Sequence, residues 1–424
     1  MPERELRMSE NRYSVRFEEL FGFYAGRETG VPLVPPEHVY FSLTNRCNLK
    51  CRMCSVSGGG DGEMETGEVC AIIRQVKELG VRHLILSGGE ALLRRDLKEI
   101  VSFSVASGIE MVDIITNGTL LNEETADFFV KEGLNHLTVS LDGLRKNNDY
   151  IRGEGVFDRA EAAMDILNRV KKTRGRRNPT LGINFTVMDR NVEDMLPMLD
   201  FAGGKECNIV VFQPVLFDNV KMHVKQKSPL WPCGEKLRLL EENLKRLQEL
   251  KSDPRHTPMI YTSDQVLSFM PAYFRGRMSA GRIGCYEGIK RMVITSGGQV
   301  WSCLGIYGDA RREKLANIWV SASARRVREK ARRCRRHCLQ DCVYFPSSVA
   351  AEALKVVAGA PEEEKALAAA SLESGLEKTG AALAAAGAGF IGTIRGRNAL
   401  DALKAKIRSA DATEGGRGGH ADRR

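Results

Sequence analysis

Six apolar runs of strand length, separated by stretches of helical spacing, constrain this chain more than any other feature. They are residues 39–43 (VYFSL), 83–87 (HLILS), 111–116 (MVDIIT), 136–141 (HLTVSL), 181–187 (LGINFTV) and 208–214 (NIVVFQP). Their alternation with helix-period segments is the pattern of consecutive βα units on a parallel sheet. The segments between them are long enough for crossover helices. Thr66 ahead of Glu68, and Asn122 ahead of Glu123, Glu124 and Thr125, mark two helix starts. Six consecutive βα units predict an α/β fold, a partial (β/α)6 TIM-like barrel open on one side. All its strands deliver their C-terminal ends to one face, so the loops that follow them carry the chemistry.

Those loops are where the unusual residues fall. Cys47, Cys51 and Cys54 follow the first run at C-x3-C-x2-C spacing, close enough to present three thiolates to one metal cluster. A 4Fe-4S cube has four irons, so three ligands leave one open to a small molecule. A structural zinc site would want a fourth protein ligand nearby, and none of the fifteen residues after Cys54 is Cys or His. Ser87-Gly88-Gly89-Glu90 follows the second run, Thr116-Asn117-Gly118 the third, and Ser140-Leu141-Asp142-Gly143 closes the fourth. Glycines at strand ends let backbone approach a ligand, and Glu90 offers an acceptor for an ammonium group.

In this order the motifs resemble the radical S-adenosylmethionine (SAM) superfamily. The resemblance implies that Cys47, Cys51 and Cys54 hold a 4Fe-4S cluster, and that Gly88, Gly89 and Glu90 receive the methionine amino group of SAM. Ser140 and Arg152 match positions that meet the ribose or carboxylate, with Asn117 and Asp142 nearby. Arg152 lies in NDYIRGEGVF, similar to the segment after the fourth strand in peptide-modifying members. Met53 departs from the pattern, standing where many members place an aromatic residue. The implied chemistry is reductive cleavage of SAM to a 5′-deoxyadenosyl radical that abstracts a hydrogen from substrate. A low-potential donor of flavodoxin or ferredoxin type would supply the electron. Asn184 and Gln213 are polar residues in apolar runs. Facing the barrel interior they would be catalytic candidates; otherwise they would serve neighbouring backbone.

A second set of cysteines follows the barrel: Cys285, Cys303, Cys334, Cys338 and Cys342. ITSGGQVWSC reads as a hairpin turning at Gly297-Gly298, with Cys303 at a strand end. Residues 315–333 read as a helix returning to the last three cysteines. Cys285 and GQVWSC resemble the opening of SPASM and Twitch auxiliary domains, and the shorter Twitch-like arrangement fits five cysteines. It implies one auxiliary 4Fe-4S cluster on Cys285, Cys303, Cys338 and Cys342, with Cys334 as an alternative to one of the last two. A zinc site on the same residues is the competing interpretation.

The domain organisation expected is a helical lead and connector (1–35), the core barrel (36–233), bridging helices (234–282), the auxiliary domain (283–345), an Ala-rich helical extension (346–410) and a disordered tail (411–424). In the bridge, leucines 237, 240, 244, 247 and 250 form one helical stripe, as core packing requires. No run reaches 18 apolar residues and the start lacks a signal peptide, so a cytoplasmic location is expected and the eleven cysteines read as ligands rather than disulfides. Cys70, Cys207 and Cys233 stand apart as buried or free thiols. The formal charge of +9 owes much to Arg325–Arg336, which holds eight Lys or Arg and one Glu. Without interleaved aromatics it reads as a solvated helix face, not a nucleic-acid site. An oxidising or cross-linking enzyme acting on a peptide or protein, a maturase, is the first expectation, and a dehydrogenase of a small metabolite the second. An iron-sulfur electron carrier, or a basic nucleic-acid-binding protein, would leave Gly-Gly-Glu and Ser-Leu-Asp-Gly without a role.

Overall fold

The computed structural model of the 424-residue chain describes residues 22, 23, 26, 27, 29–55, 62–216, 230–253, 255–278, 284–340 and 343–344. The extension and tail expected over 346–424, and most of the helical lead, lie outside the described residues.

Seven parallel strands run through the first part of the chain: β1 (His38–Thr44), β2 (His83–Gly88), β3 (Met111–Thr116), β4 (His136–Ser140), β5 (Thr180–Val187), β6 (Ile209–Pro214) and a two-residue β7 (Met259–Ile260). They pair in sequence order. The sheet does not close: β7 ends one side, and on the other β1 pairs in parallel with β9 (Arg291–Ile294). β9 then turns through Thr295–Gly298 into β10 (Gln299–Ser302), which pairs with β11 (Gly305–Asp309), both junctions antiparallel. The partial barrel is thus an open ten-stranded sheet, and the cysteine-bearing hairpin belongs to it. A separate antiparallel pair, β8 (Gly284–Cys285) and β12 (Val343–Tyr344), sets Val343 opposite Cys285.

The helices between the parallel strands are α1 (Thr66–Glu78), α2 (Leu97–Ala106), α3 (Glu123–Glu132), α4 (Arg145–Arg152), α5 (Val156–Arg174) and α6 (Met195–Gly204). Asn122 caps α3, its side chain accepting from Thr125 N, and Gly133 ends it at φ 79°. α1 starts one residue ahead of the sequence reading. Glu65 is the cap, in a reciprocal box with Glu68, because the Thr66 hydroxyl is committed to Asp96 at 2.6 Å. In α7 (Gly234–Ser252) Leu240, Leu244 and Leu247 are buried while Leu237 and Leu250 flank them, the stripe read from sequence. Each buried leucine contributes roughly 2 kcal/mol. α8 (Asp264–Phe274) packs against α7. The single helix expected over 315–333 is two, α9 (Leu315–Val320) and α10 (Ala322–Arg332). Ser321 breaks the run with extended backbone and caps α10 through Ala324 N.

Strand register sorts the sheet into two faces. Val39, Phe41, Leu86, Ile114, Val139 and Phe185 share one face, all 0% exposed, and this is the face the helices cover. The alternate positions carry Tyr40, Ser42, Ser87, Thr138, Ser140 and Asn184, and form the barrel interior. That face continues onto the hairpin, since Tyr40 is level with Val293, Val293 with Trp301, and Trp301 with Ile306. Exposure grows along this row to 41% at Trp301 and 55% at Ile306.

Candidate active site

The loop Asn45–Ser55 begins where β1 ends, and its first residues lie against the end of β2. Gly89 N donates to Thr44 O at 2.6 Å and Glu90 N to Arg46 O at 2.8 Å. Only glycine permits this: a Cβ on Gly88 would lie 2.3 Å from Thr44 O, and one on Gly89 2.2 Å from Arg46 O. Gly88 also sits at φ 145°, a region other residues avoid. The far end of the loop docks on α4, with Arg52 N donating to Ile151 O at 2.9 Å and Arg52 Nε to Tyr150 O at 2.7 Å. Beneath it the buried Arg94 reaches Leu43 O and Met64 O and pairs with Asp96.

Glu90 is 1% exposed, and its carboxylate knits β2 to β3. It accepts from Asn117 N and the Thr116 hydroxyl, both at 2.7 Å, and from Leu92 N at 3.1 Å. Burial nevertheless raises its pKa, against those hydrogen bonds. Asn117 faces the cysteine loop: its Nδ2 donates to Asn48 Oδ1 at 2.9 Å, and its side chain donates to the Cys47 thiol. Cys47 thereby lies within electrostatic reach of Glu90 and Cys54.

Asp142 and Arg152 form the opposite wall. Asp142 is 0% and Arg152 9% exposed, and they form a buried ion pair with Nε and Oδ2 2.7 Å apart. Asp142 Oδ1 accepts from Thr186 N at 2.7 Å, Asp142 N donates to Asn148 Oδ1 at 3.0 Å, and Asn191 Nδ2 donates to Asp142 O at 2.9 Å. This network ties the ends of β4 and β5 to α4. The Arg152 guanidinium lies within electrostatic reach of Cys51 and Cys54. Burial pushes the Cys51 thiol up to about 11, with the Arg152 charge opposing it.

Cys47, Cys51, Cys54, Glu90, Asn117, Asp142 and Arg152 are therefore gathered around one mouth at the strand C-terminal ends. Gly88 and Gly89 seat the loop. Ser140 is the last residue of β4, level with Asn184 across the β4–β5 pair, and Gln213 on β6 is exposed and level with Thr186. Asn48, Asn148, Thr186 and Asn191 escaped the sequence reading because isolated amides and hydroxyls carry no spacing signal. A pointer for Asn48 was its position between two cysteines.

In the second set, Cys285 lies on β8, Cys303 follows β10, and Cys334 and Cys338 follow α10; Cys342 lies outside the described residues. The Cys334 and Cys285 thiols are hydrogen-bonded, and this contact brings the Cys334 thiol down to about 6. Arg336 donates to Cys303 O at 2.9 Å. Among the described residues no three Cys, His, Asp or Glu side chains converge on a single ion. A 4Fe-4S cube does not require that, because each thiolate bonds a different iron. The donor chemistry fits: three thiols backed by a cation, on a short loop fixed at both ends.

An open α/β barrel with a cysteine loop at its strand ends presents three thiols at the mouth of the barrel interior. Family models agree, matching the radical SAM superfamily over residues 41–202 and the SPASM iron-sulfur cluster-binding domain over 285–342. The chain carries a radical SAM domain followed by a SPASM domain, and such domains bind a 4Fe-4S cluster with SAM and auxiliary iron-sulfur clusters respectively. Similar curated proteins include Fe-coproporphyrin III synthase of Methanosarcina barkeri, 32% identical over 183 residues, covering 42% of this chain and 44% of that one. A probable GTP 3′,8-cyclase of Methanocaldococcus jannaschii is 32% identical over 194 residues, covering 45% of this chain and 63% of that one. The chain thus spans about half the length of the curated relatives it matches. Among solved structures, Streptococcus suis SuiB bound to precursor peptide SuiA aligns with a TM-score of 0.56 at 16% identity, covering 72% of this chain and 69% of that one. That likeness shows a shared fold. No helix among the described residues is long and apolar enough to cross a membrane.

Proposed function

We propose that this chain is a radical SAM maturase that oxidises or cross-links a peptide or protein. The observation that carries the radical chemistry is the convergence of Cys47, Cys51 and Cys54 with Glu90, Asn117 and the Asp142–Arg152 pair at one barrel mouth. When bound, the cluster and SAM supply reductive generation of a 5′-deoxyadenosyl radical, the electron coming from a flavodoxin or ferredoxin type donor. Cys47, Cys51 and Cys54 hold the cluster. Arg152, fixed by Asp142, presents a cation to a carboxylate, and the Gly88-Gly89-Glu90 turn with Asn117 and Ser140 lines the rest of the SAM site. Glu90, with its oxygens engaged by Thr116, Asn117 and Leu92, acts on an ammonium group as a fixed acceptor. Asn184 faces the interior, where substrate would lie.

For the auxiliary cluster, the Cys334–Cys285 contact supports a ligand set of Cys285, Cys303 and Cys334, completed by Cys338 or Cys342. The peptide reading draws support from the concave face, which runs from the barrel to the exposed Trp301 and Ile306, an extended surface suited to a chain. A small-metabolite substrate is the second reading, supported by curated relatives whose names denote porphyrin and GTP chemistry.

The test is anaerobic reconstitution followed by reduction with dithionite in the presence of SAM, measuring 5′-deoxyadenosine and iron per chain. Deoxyadenosine with about eight irons is expected, one cube at each site. Its absence at full iron loading would refute the radical assignment. Adding peptide pools or small-metabolite pools and following loss of two hydrogens by mass spectrometry separates the substrate readings.

A further inference from the structure

At the rim of the barrel mouth, two arginines from different elements share one aromatic ring. The Arg52 Cζ, in the cysteine loop, lies 4.3 Å from the Tyr150 ring centroid, and the Arg190 Cζ, just after β5, lies 4.7 Å from it. Both guanidinium groups are thus held on one ring, and only Arg190 has acids, Asp189 and Glu193, within electrostatic reach. Among the described residues neither guanidinium makes an ion pair. Arg52 is anchored by Nε to Tyr150 O, which leaves its terminal nitrogens open, and it is exposed. Arg190 Nε is buried and has no hydrogen-bond partner. Those two acids make their direct contacts elsewhere: Glu193 pairs with Lys236, and Asp189 accepts a hydrogen bond from the Cys233 backbone. Guanidinium forks outside any ion pair keep donors available to an added anion.

We propose that Arg52, Tyr150 and Arg190 form a clasp that binds an anionic group, a carboxylate or a phosphate, on the substrate. Tyr150 holds both guanidinium groups by cation–π contact, and their forks then address two oxygens of the anion. Arg52 immediately follows Cys51, so an anion held there fixes the substrate by a point beside the cluster loop. The remainder of the substrate then reaches down into the interior lined by Ser140 and Asn184. The clasp deepens the substrate-modifying function proposed above, and it admits either an acidic peptide group or the anionic group of a small metabolite.

Isothermal titration of the full-length protein with glutarate and with inorganic pyrophosphate tests it. Saturable binding of at least one probe is expected, weakened about tenfold or more in Arg190→Gln and in Arg52→Gln, and weakened by added salt. Arg190→Gln is the cleaner variant, since Arg190 Nε makes no hydrogen bond to lose. Tyr150→Phe, which keeps the ring, should retain binding. Preference for glutarate points to a carboxylate-bearing substrate, and preference for pyrophosphate to a phosphorylated one. Absence of saturable binding by either probe, or equal affinity in the wild type and both arginine variants, overturns the clasp. Deoxyadenosine formation is read separately, so loss of the radical assignment and loss of the clasp are distinguishable.

Discussion

Replacing Gly89 with alanine should undock the cysteine loop. The added methyl would meet Arg46 O at 2.2 Å, Arg46 C at 2.6 Å and Asn45 O at 2.9 Å, all backbone atoms of the loop. No side-chain rotation can relieve that overlap. The loop must retreat, breaking the hydrogen bonds from Gly89 N to Thr44 O and from Glu90 N to Arg46 O. Two such bonds are worth about 1 kcal/mol each, and residual overpacking adds roughly 1–3 kcal/mol. The total is about 3–5 kcal/mol, enough to make the undocked loop dominant where the docked one was stable by less. Urea denaturation, with iron counted per chain after anaerobic reconstitution, reads both consequences. The variant should lose the barrel cluster's share of iron and shift its midpoint downward. Gly67→Ala is the control: nothing lies within 4 Å of its Cβ, in the first turn of α1, so it should match wild type or gain up to about 1 kcal/mol. Full iron and an unchanged midpoint in Gly89→Ala would refute the claim that this glycine seats the loop.

Other consequences are open to test. Asp142→Asn leaves the buried Arg152 without its counter-charge and should cost about 3 kcal/mol or more in denaturation experiments; a loss below about 1 kcal/mol would contradict the pairing. Burial raises the Asp113 carboxyl from its ordinary 3.8 to about 7, with only the Thr138 hydroxyl and Ile114 backbone opposing the shift. The folded state therefore prefers the protonated acid, and this contribution is whole below about pH 4 and fades as pH rises through about 7. Asp113→Asn should flatten that part of the stability profile, and a profile identical to wild type between pH 4 and 8 would be inconsistent with the burial argument. Cys51→Ala should abolish deoxyadenosine formation while sparing auxiliary iron. Cys334→Ser should lower iron by about one cluster while leaving the barrel cluster in place; full iron would remove Cys334 from the ligand set.

The barrel was legible because its strands are long, apolar and regularly spaced, and because three motifs fall at their ends. The short strands were not. β7 has two residues, too few for a pattern, and is recognisable only by its pairing with β6. The break at Ser321 was hidden by helix-forming neighbours on both sides, since a serine within a helix and a serine capping one look alike in sequence. The hairpin at Gly297-Gly298 could be read, but its attachment to β1 is a long-range pairing that no local signal encodes. In the site, charged and sulfur-bearing residues stood out by type and spacing. The amides that hold them, Asn48, Asn148 and Asn191, became visible only once the loops were brought together. Among the last three cysteines the sequence left Cys334 as an alternative to Cys338 or Cys342; its contact with Cys285 exists only in the fold.

Because β9 lies directly against β1, the sheet passes without interruption from the SAM half of the protein to the auxiliary half. β1, which launches the first cysteine loop, is an interior strand only by virtue of a hairpin encoded some 250 residues later. A nascent chain must therefore keep Val39 and Phe41 beside an unpaired edge until the ribosome has delivered Arg291–Ile294. The auxiliary module is thus a folding partner of the barrel, and a lineage that discarded it would have to re-cover that edge to remain free of aggregation.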